Sequence, residues 1–417
     1  MKPRTWVLLQ GVCSPFFARL AQALQAAGVR VLKLNFNAGD CLYWGARPAT
    51  HCRVAPAQIG EFFAAYCARH GVTDLLVFGD RRPVHQQAIA SAAQLGVRSH
   101  VLEEGYFRPY WFTLEGDGVN RHSRLPRDPH WYHAVAPSLP PVAAPQTFHQ
   151  PFATRALHDV AYHVAGLLNP LVFPHYRTHA EVSAPLEYAG YVRRYLRLRA
   201  RHAADAQRAA RCLAGSQPYF FLPLQLNGDA QIRDHSPFTD MHELLDLVLK
   251  SFARHAPSNT LLVVKNHPLD YRWQGHERQL QRLLRQYDLA GRVVYLETGD
   301  LLPLVRGARG VVTVNSTVGS LALELARPTL ALAAAIYHLP GLTFQGSLDD
   351  FWGGGEPPEA TLFDNFRRTV MYATQINGGF YTAPAIALAV AQLLPALLRE
   401  RTRLDELLAS TPPLDAP

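Results

Sequence analysis

The chain has little of what would place it in several protein classes. Cysteine is scarce and odd in number: Cys13, Cys41, Cys52, Cys67 and Cys212, none in a CxxC pair. That pattern supplies no zinc or dithiol motif, and reduced cytoplasmic thiols account for it. Charged residues are only 18% of 417 and apolar ones 48%, which excludes a disordered or fibrous chain. Long apolar runs are missing as well. Trp6 to Leu9 stops at Gln10, too short for a signal-peptide core, and Ala383 to Leu398 is broken by Pro384, Gln392 and Pro395. The second run reads as a buried helix. There is no Asp-x-Asp sequence to hold a catalytic metal on a nucleotide sugar, and His130 and His133 have no partners at zinc spacing, so neither a metal nor another cofactor is expected. Zinc-finger, RNA-recognition and basic-zipper signatures are also lacking, which argues against nucleic acid.

Arginine, by contrast, is plentiful, and the formal charge of +8 suits an acidic ligand, an anionic membrane surface or a polyanion. The length exceeds what one core supports, so two domains are expected. The first half alternates strand and helix: Trp6 to Leu9, a helix carrying Phe16, Leu20 and Leu24, Val29 to Phe36, a helix near Ile59 to Arg69, then Asp74 to Phe78. The second half repeats the alternation: strand Tyr219 to Leu224, helix Met241 to His255, strand Thr260 to Val264, helix His276 to Tyr287, strands Val293 to Leu296 and Val311 to Val314, and helix Thr317 to Leu325. The expected fold is α/β and GT-B-like, with two Rossmann-like doubly wound domains facing a cleft. The expected boundaries are a domain over 1–185, an arginine-rich helical connector over 186–215, a second domain over 216–370 and a helical segment over 371–417. The proline- and histidine-rich stretch 125–155 reads as an irregular functional insertion.

In open α/β sheets ligands gather beyond the carboxyl ends of strands. The strand ending at Val264 delivers Lys265-Asn266-His267-Pro268 into a loop. Lys265 brings positive charge, and His267 can bind a phosphate or protonate a leaving oxygen. A turn-capping histidine is the alternative. The strand ending at Val314 passes through Asn315-Ser316-Thr317 into a helix, whose first amides and dipole favour an anion. Plain N-capping is the alternative there. The loop from Leu224 to Ile232, including Gln231, is a further ligand candidate or a set of turn formers. In the first half, Glu103-Glu104 follow a strand and Glu115 lies in the next loop, beyond the aromatic stretch Tyr106 to Phe112. Paired carboxylates can act as nucleophile and base in glycosyl transfer, although surface acidity is common. Asp80 and Arg81 form another strand-end candidate.

These landmarks together resemble the KpsS-type capsule polysaccharide Kdo transferases of Gram-negative bacteria. The resemblance is carried by Leu9-Gln10-Gly11, Asn35 to Asp40, Gly79-Asp80-Arg81, Glu103 to Tyr106, Arg108-Pro109, Lys265 to Pro268, Asn315 to Gly319, Tyr337 to Thr343 and Gln375 to Gly378. It implies a retaining β-Kdo transferase that moves the first Kdo from CMP-β-Kdo to a (lyso)phosphatidylglycerol acceptor, starting the poly-Kdo linker of a capsule. It further implies work beside a KpsC-type transferase and the capsule export machinery, with peripheral residence at the cytoplasmic face of the inner membrane. By position, Lys265, Asn266, His267, Pro268, Asn315, Ser316, Thr317 and Gln231 would surround the donor. Glu103, Glu104, Glu115 and His267 would be the catalytic candidates. Two other readings stay open: transfer of another CMP-activated nonulosonic acid, and a noncatalytic role in capsule assembly or export. The arginines from Arg193 to Arg201 and the rings from Tyr106 to Phe112 are candidates for contact with anionic lipid.

Overall fold

Strand β1 (Thr5–Leu8) is buried throughout, and its alternation decides the layering of everything around it. Trp6 and Leu8 face one side and Val7 the other, as the twofold pleat requires. Both faces must then be covered, which is the signature of a parallel α/β sheet. The computed structural model describes residues 4–177, 184–228, 230–270 and 275–413.

Two compact units emerge. The first takes the chain as far as Leu125, resumes at Val135, and takes it again from Arg368 on. The second takes Pro126–Ala134 and the stretch that ends at Arg367. The first-half domain expected over 1–185 therefore cedes nine residues of the insertion to the second unit. The segment 371–417, expected to stand apart, belongs to the first.

The first unit adds β2 (Arg30–Asn35), β3 (Thr50–His51), β4 (Asp74–Phe78), β5 (Arg98–Glu104) and β6 (Trp111–Gly116). With β12 (Gln375–Asn377) they form one sheet in the order β12-β6-β5-β4-β1-β2-β3. From β3 to β5 the neighbours run parallel, while β6 and β12 are antiparallel additions. One face packs Trp6, Leu8, Leu76, Phe78 and Leu102 on helices Phe16–Ala26 and Ala383–Leu398. The other packs Val7, Leu34, Val77 and Val101 on Ile59–His70 and Pro83–Gln94. The Ala383–Leu398 run is thus a core helix, with Ile386, Ala389, Leu393 and Leu397 buried. Among the described residues no single helix is long and apolar enough to cross a membrane.

The second unit has β7 (Tyr219–Pro223), β8 (Leu261–Lys265), β9 (Val293–Leu296), β10 (Gly310–Thr313) and β11 (Thr329–Ala331). All are parallel, in the order β11-β10-β7-β8-β9. Phe220, Leu222, Leu262 and Val312 pack on helix Met241–His255, and Phe221, Val263 and Val311 pack on the opposite face. The expected connector is a 31-residue helix, Ala184–Ala214, whose Ala209 and Cys212 join that opposite face. Two doubly wound units, one with a wholly parallel sheet and one with a mostly parallel sheet, make the architecture α/β and GT-B-like.

Candidate active site

In the second sheet the chain leaves β7 toward β8 and β9 on one side and returns to place β10 and β11 on the other. The reversal falls between β7 and β10, where a doubly wound sheet leaves a crevice at its carboxyl edge. Gln225 and Asn315, each two residues beyond its strand, meet there. Gln225 Nε2 donates to Asn315 Oδ1 at 3.1 Å, and the Asn315 backbone N–H donates to Gln225 Oε1 at 3.4 Å. Asn315 Nδ2 also donates to the Gln231 carbonyl at 2.7 Å and to the His235 carbonyl at 3.4 Å. Asn315 is buried, so its amide shapes the crevice and pins the Gln231 to His235 loop. From the sequence it was expected to touch the donor itself.

Ser316 caps helix Thr317–Glu324, its Oγ accepting from the Val318 N–H at 3.2 Å. The capping alternative is therefore realised, and its hydroxyl oxygen is engaged. Thr317, the first helical residue, is exposed, and its hydroxyl and the helix start offer donors of the kind that suit an anion. Tyr337 holds this start from beneath: its hydroxyl donates to the Ser316 carbonyl at 2.6 Å. Burial pushes that phenol far above its ordinary pKa, so it remains a donor. Gly319 makes the approach possible, since a Cβ there would lie 2.1 Å from the Tyr337 hydroxyl oxygen.

The Lys265 to Pro268 loop leaves the same edge of the sheet from β8. One strand, β7, separates it from β10, so the two loops stand about 10 Å apart and not side by side. Its four residues divide sharply. Lys265 is buried, with Nζ donating to the Asn266 carbonyl at 3.3 Å, and burial followed by the charge of Arg194 pushes its pKa down. Asn266 is buried and donates to Asp270 Oδ2 at 2.7 Å and to Glu297 Oε2 at 3.2 Å, while its Oδ1 accepts from the His267 N–H at 2.8 Å. Both are framework. His267 is half-buried and Pro268 exposed. The Leu269 N–H donates to His267 Nδ1 at 3.1 Å, which puts the proton of a neutral ring on Nε2 and makes that atom a donor.

Arg194 supports this loop from the long helix. It is buried, donates from Nη2 to the His267 carbonyl at 3.0 Å, and lies 3.6 Å from Asp270 and 3.7 Å from Glu297. Arg194 therefore serves the loop and is unavailable to lipid. Beside it a cavity of about 350 Å³ is lined by Arg193, Arg197, Arg201, Arg278, Asn266 and Tyr295.

In the first unit the three glutamates do not share one place. Glu103 and Glu104 are consecutive in β5, so their side chains take opposite faces of the sheet. Glu103 Oε1 accepts from the Glu104 N–H at 2.9 Å. Glu104 Oε1 lies 3.7 Å from Arg155, whose guanidinium sits over the Tyr381 ring at 5.1 Å. Glu115 is not in a loop; it is the fifth residue of β6, paired with Val101, while Glu103 pairs with Thr113. That register puts Glu115 on the Glu103 face, as its diagonal neighbour. Glu115 is buried, accepting from the Tyr106 hydroxyl at 2.6 Å and from the Ser123 hydroxyl. Tyr106 in turn accepts from the Asn120 N–H at 2.8 Å. Of the aromatic stretch, Tyr106, Phe107 and Phe112 are buried, and Tyr110 and Trp111 are half-buried.

A polar network lies at the first sheet's own reversal, beyond β1 and β4; the sequence offered Asp80 there as a strand-end candidate but not Tyr162 or Lys33. Gln10 and Asn37 donate to the Tyr162 hydroxyl at 2.8 and 2.6 Å, and that hydroxyl donates to Asp40 Oδ1 at 3.1 Å. Lys33 Nζ donates to the Leu9 and Leu34 carbonyls at 2.7 Å each, and burial pushes its pKa down to about 8. Arg82 Nη1 donates to the Gly11 carbonyl at 2.9 Å. Asp80 is buried against His122 Nδ1 at 3.0 Å.

Comparison with known proteins adds a family to this geometry. The sequence model of the capsule polysaccharide biosynthesis protein family matches residues 73–381. The chain belongs to that family. The capsule polysaccharide modification protein LipB of Neisseria meningitidis serogroup B is 36% identical over 385 residues, covering 90% of this chain and 91% of LipB. The capsule polysaccharide export protein KpsS of Escherichia coli is 33% identical over 381 residues, covering 91% and 97%. Among solved structures, the β-Kdo 2,7-transferase of Thermosulfurimonas dismutans KpsC aligns over 94% of this chain and 99% of its own, at 15% identity and a TM-score of 0.44. Family membership assigns the chain to capsule polysaccharide biosynthesis and leaves donor and acceptor to chemical argument.

Proposed function

We propose that the chain is a retaining glycosyltransferase that moves the first Kdo from CMP-β-Kdo to a (lyso)phosphatidylglycerol acceptor, beginning the poly-Kdo linker of a capsule. The observation that carries the reading is the donor pair at the carboxyl edge of the second sheet. His267 Nε2–H and the Thr317 helix start both leave that edge, on framework fixed by Asn266, Arg194, Asn315 and Tyr337. Such preorganised donors suit a phosphate that gains charge as CMP departs.

For the sugar, the first unit offers Glu103 and Glu115 on one face of its sheet. Diagonal neighbours lie about 7–8 Å apart at the backbone, compatible with the roughly 5 Å between carboxyls that double displacement uses. One carboxylate attacks the anomeric carbon as the phosphate bond breaks. The acceptor hydroxyl then displaces it, losing its proton to the other carboxylate, and two inversions give retention. Glu104, on the opposite face beside Arg155, is outside this pair. The reading places the protein at the cytoplasmic face of the inner membrane, working with a KpsC-type transferase and the export machinery.

Incubation with CMP-Kdo and phosphatidylglycerol, followed by mass analysis of the lipid, tests this directly. One added Kdo is expected, with no product from CMP-sialic acid. His267→Ala should retain the fold and lose about 10²–10³ in rate, as removal of a preorganised donor does. Transfer from CMP-sialic acid alone would move the reading to another nonulosonic acid. Unchanged capsule formation by the His267→Ala variant would move it to a noncatalytic assembly role.

A further inference from the structure

Helix Phe152–Gly166 and the short helix Asn169–Val172 pack inside out. At about 100° per residue, Leu157, Val160 and Val164 fall within one narrow stripe, with His158 and Tyr162 roughly opposite. In a helix surrounded by water the apolar stripe turns inward. Here the polar side does. Tyr162 joins Gln10, Asn37 and Asp40, and His158 Nδ1 meets the Tyr43 hydroxyl at 2.8 Å. Outward stand Phe152 (65% exposed), Leu157 (71%), Val164 (58%), Leu167 (73%) and Leu171 (83%), with Val160 and Leu168 filling the stripe. A contiguous exposed apolar face of this kind marks an interaction surface.

We infer that residues 152–171 are a bilayer-docking element that lies in the headgroup region of an anionic membrane. Two features select lipid over protein. The stripe is aliphatic apart from Phe152, and Trp and Met are absent from 145–177, whereas the centres of protein interfaces favour Trp, Tyr, Met and Arg. The same stretch has one carboxylate, Asp159, and the exposed Arg177, in a chain whose formal charge is +8. An outward aliphatic face on a net cationic chain is what an anionic headgroup layer attracts. The element would also bring a bilayer to the back of the Tyr162 network at the first sheet's carboxyl edge. This deepens the membrane placement in the proposed function by naming the segment that makes it.

The test is cosedimentation of the full chain with phosphatidylglycerol–phosphatidylethanolamine vesicles, with phosphatidylcholine vesicles as a second arm. Binding to the anionic vesicles should exceed binding to phosphatidylcholine. The triple variant Leu157→Asn, Val164→Asn, Leu171→Asn should bind them more than about tenfold less well, with its melting temperature unchanged because all three side chains are exposed. Failure of the unaltered chain to bind anionic vesicles overturns the inference. So does vesicle binding by the triple variant equal to that of the unaltered chain. Sedimentation velocity run beside it covers the protein alternative: a self-association abolished by the same substitutions, with vesicle binding intact, would make the stripe a contact between copies. Transfer to a short-chain, water-soluble phosphatidylglycerol is read separately, and its loss counts against the proposed activity, not against docking.

Discussion

The side chains of Gln225 and Asn315 hydrogen-bond across the reversal of the second sheet, joining the loop after β7 to the loop after β10. Both amides are engaged in the framework, and together they fix where a ligand can sit. The rest of Asn315 restrains the carbonyls of Gln231 and His235. Asn315→Ala should therefore act on shape. It leaves Gln225 with an unmet buried amide and should cost about 1–3 kcal/mol in unfolding free energy. CMP affinity by calorimetry should fall along with it. Full affinity together with the stability loss would show that the crevice does not hold the nucleotide.

Separate substitutions at the three glutamates should divide them by sheet face. Glu103→Gln and Glu115→Gln should each lower transfer by two or more orders of magnitude, since each removes a charge used only in the transition state. Glu104→Gln should stay within about tenfold of the native rate, because it only loosens Arg155. Single-turnover assays with CMP-Kdo separate these cases. Loss confined to Glu104→Gln would sink the assignment.

Gly319→Ala should damage the helix start proposed to hold the phosphate without altering any residue proposed to touch it. The added methyl would collide with the Tyr337 hydroxyl, which holds the Ser316 carbonyl. Overpacking of this kind costs about 1–3 kcal/mol. The expected result is weaker CMP binding, partly restored in a Gly319→Ala, Tyr337→Phe double variant that relieves the crowding. A double variant no better than the single one would place the damage elsewhere.

At the amino end of β4, remote from either reversal, Asp74 governs acid stability. It is fully buried and accepts from Arg4 at 2.6 and 3.1 Å and from Thr73 at 2.7 Å, with Arg98 at 2.9 Å. Its other partner, His100 Nε2 at 3.0 Å, has its pKa pushed down by burial and serves as a neutral donor. Burial alone would raise the Asp74 pKa, but these hydrogen bonds outweigh it and hold the carboxyl well below its ordinary range. A depressed folded pKa means that its stability contribution is complete above the unfolded value near 4 and is lost as pH falls below it. Asp74→Asn should cost about 3 kcal/mol at neutral pH, the low end for a broken buried pair because Arg98 is partly exposed. The variant should also lose part of the acid dependence below about pH 5. Urea titrations from pH 3 to about 7 report both effects.

Much of this arrangement was legible before any coordinates. Continuous apolar strands at Asp74–Phe78, Tyr219–Pro223 and Leu261–Lys265 can only be parallel strands covered on both faces, and their ends had to carry the polar loops. The positions of His267 and Ser316-Thr317 just beyond strand ends were legible that way, because strand-loop-helix junctions are written in consecutive residues. β6 was not legible. Its Trp, Phe, Thr and Leu fit a strand, but Arg108-Pro109 and the glycines around it read as a loop, and only pairing with β5 and β12 selects the strand. Strand pairing then put Glu103 and Glu115 on one face and Glu104 on the other, a distinction that spacing in an unassigned loop cannot make.

The α/β layering, the doubly wound halves and the loops beyond the strand ends follow from local periodicity and short-range junctions, and so can be read from the residues in order. The tertiary structure decided which polar residues are framework and which face a ligand. Asn266, Asn315, Lys265 and Arg194 are polar in any reading of the sequence. For Asn266, Asn315 and Arg194, packing against partners 31, 84 and 73 residues away respectively turns them inward. Tyr162 depends on residues more than 120 positions distant, and that same contact turns an ordinary amphipathic helix with its apolar face outward. Burial and hydrogen bonding over such separations are properties of the folded surface, and no local pattern encodes them.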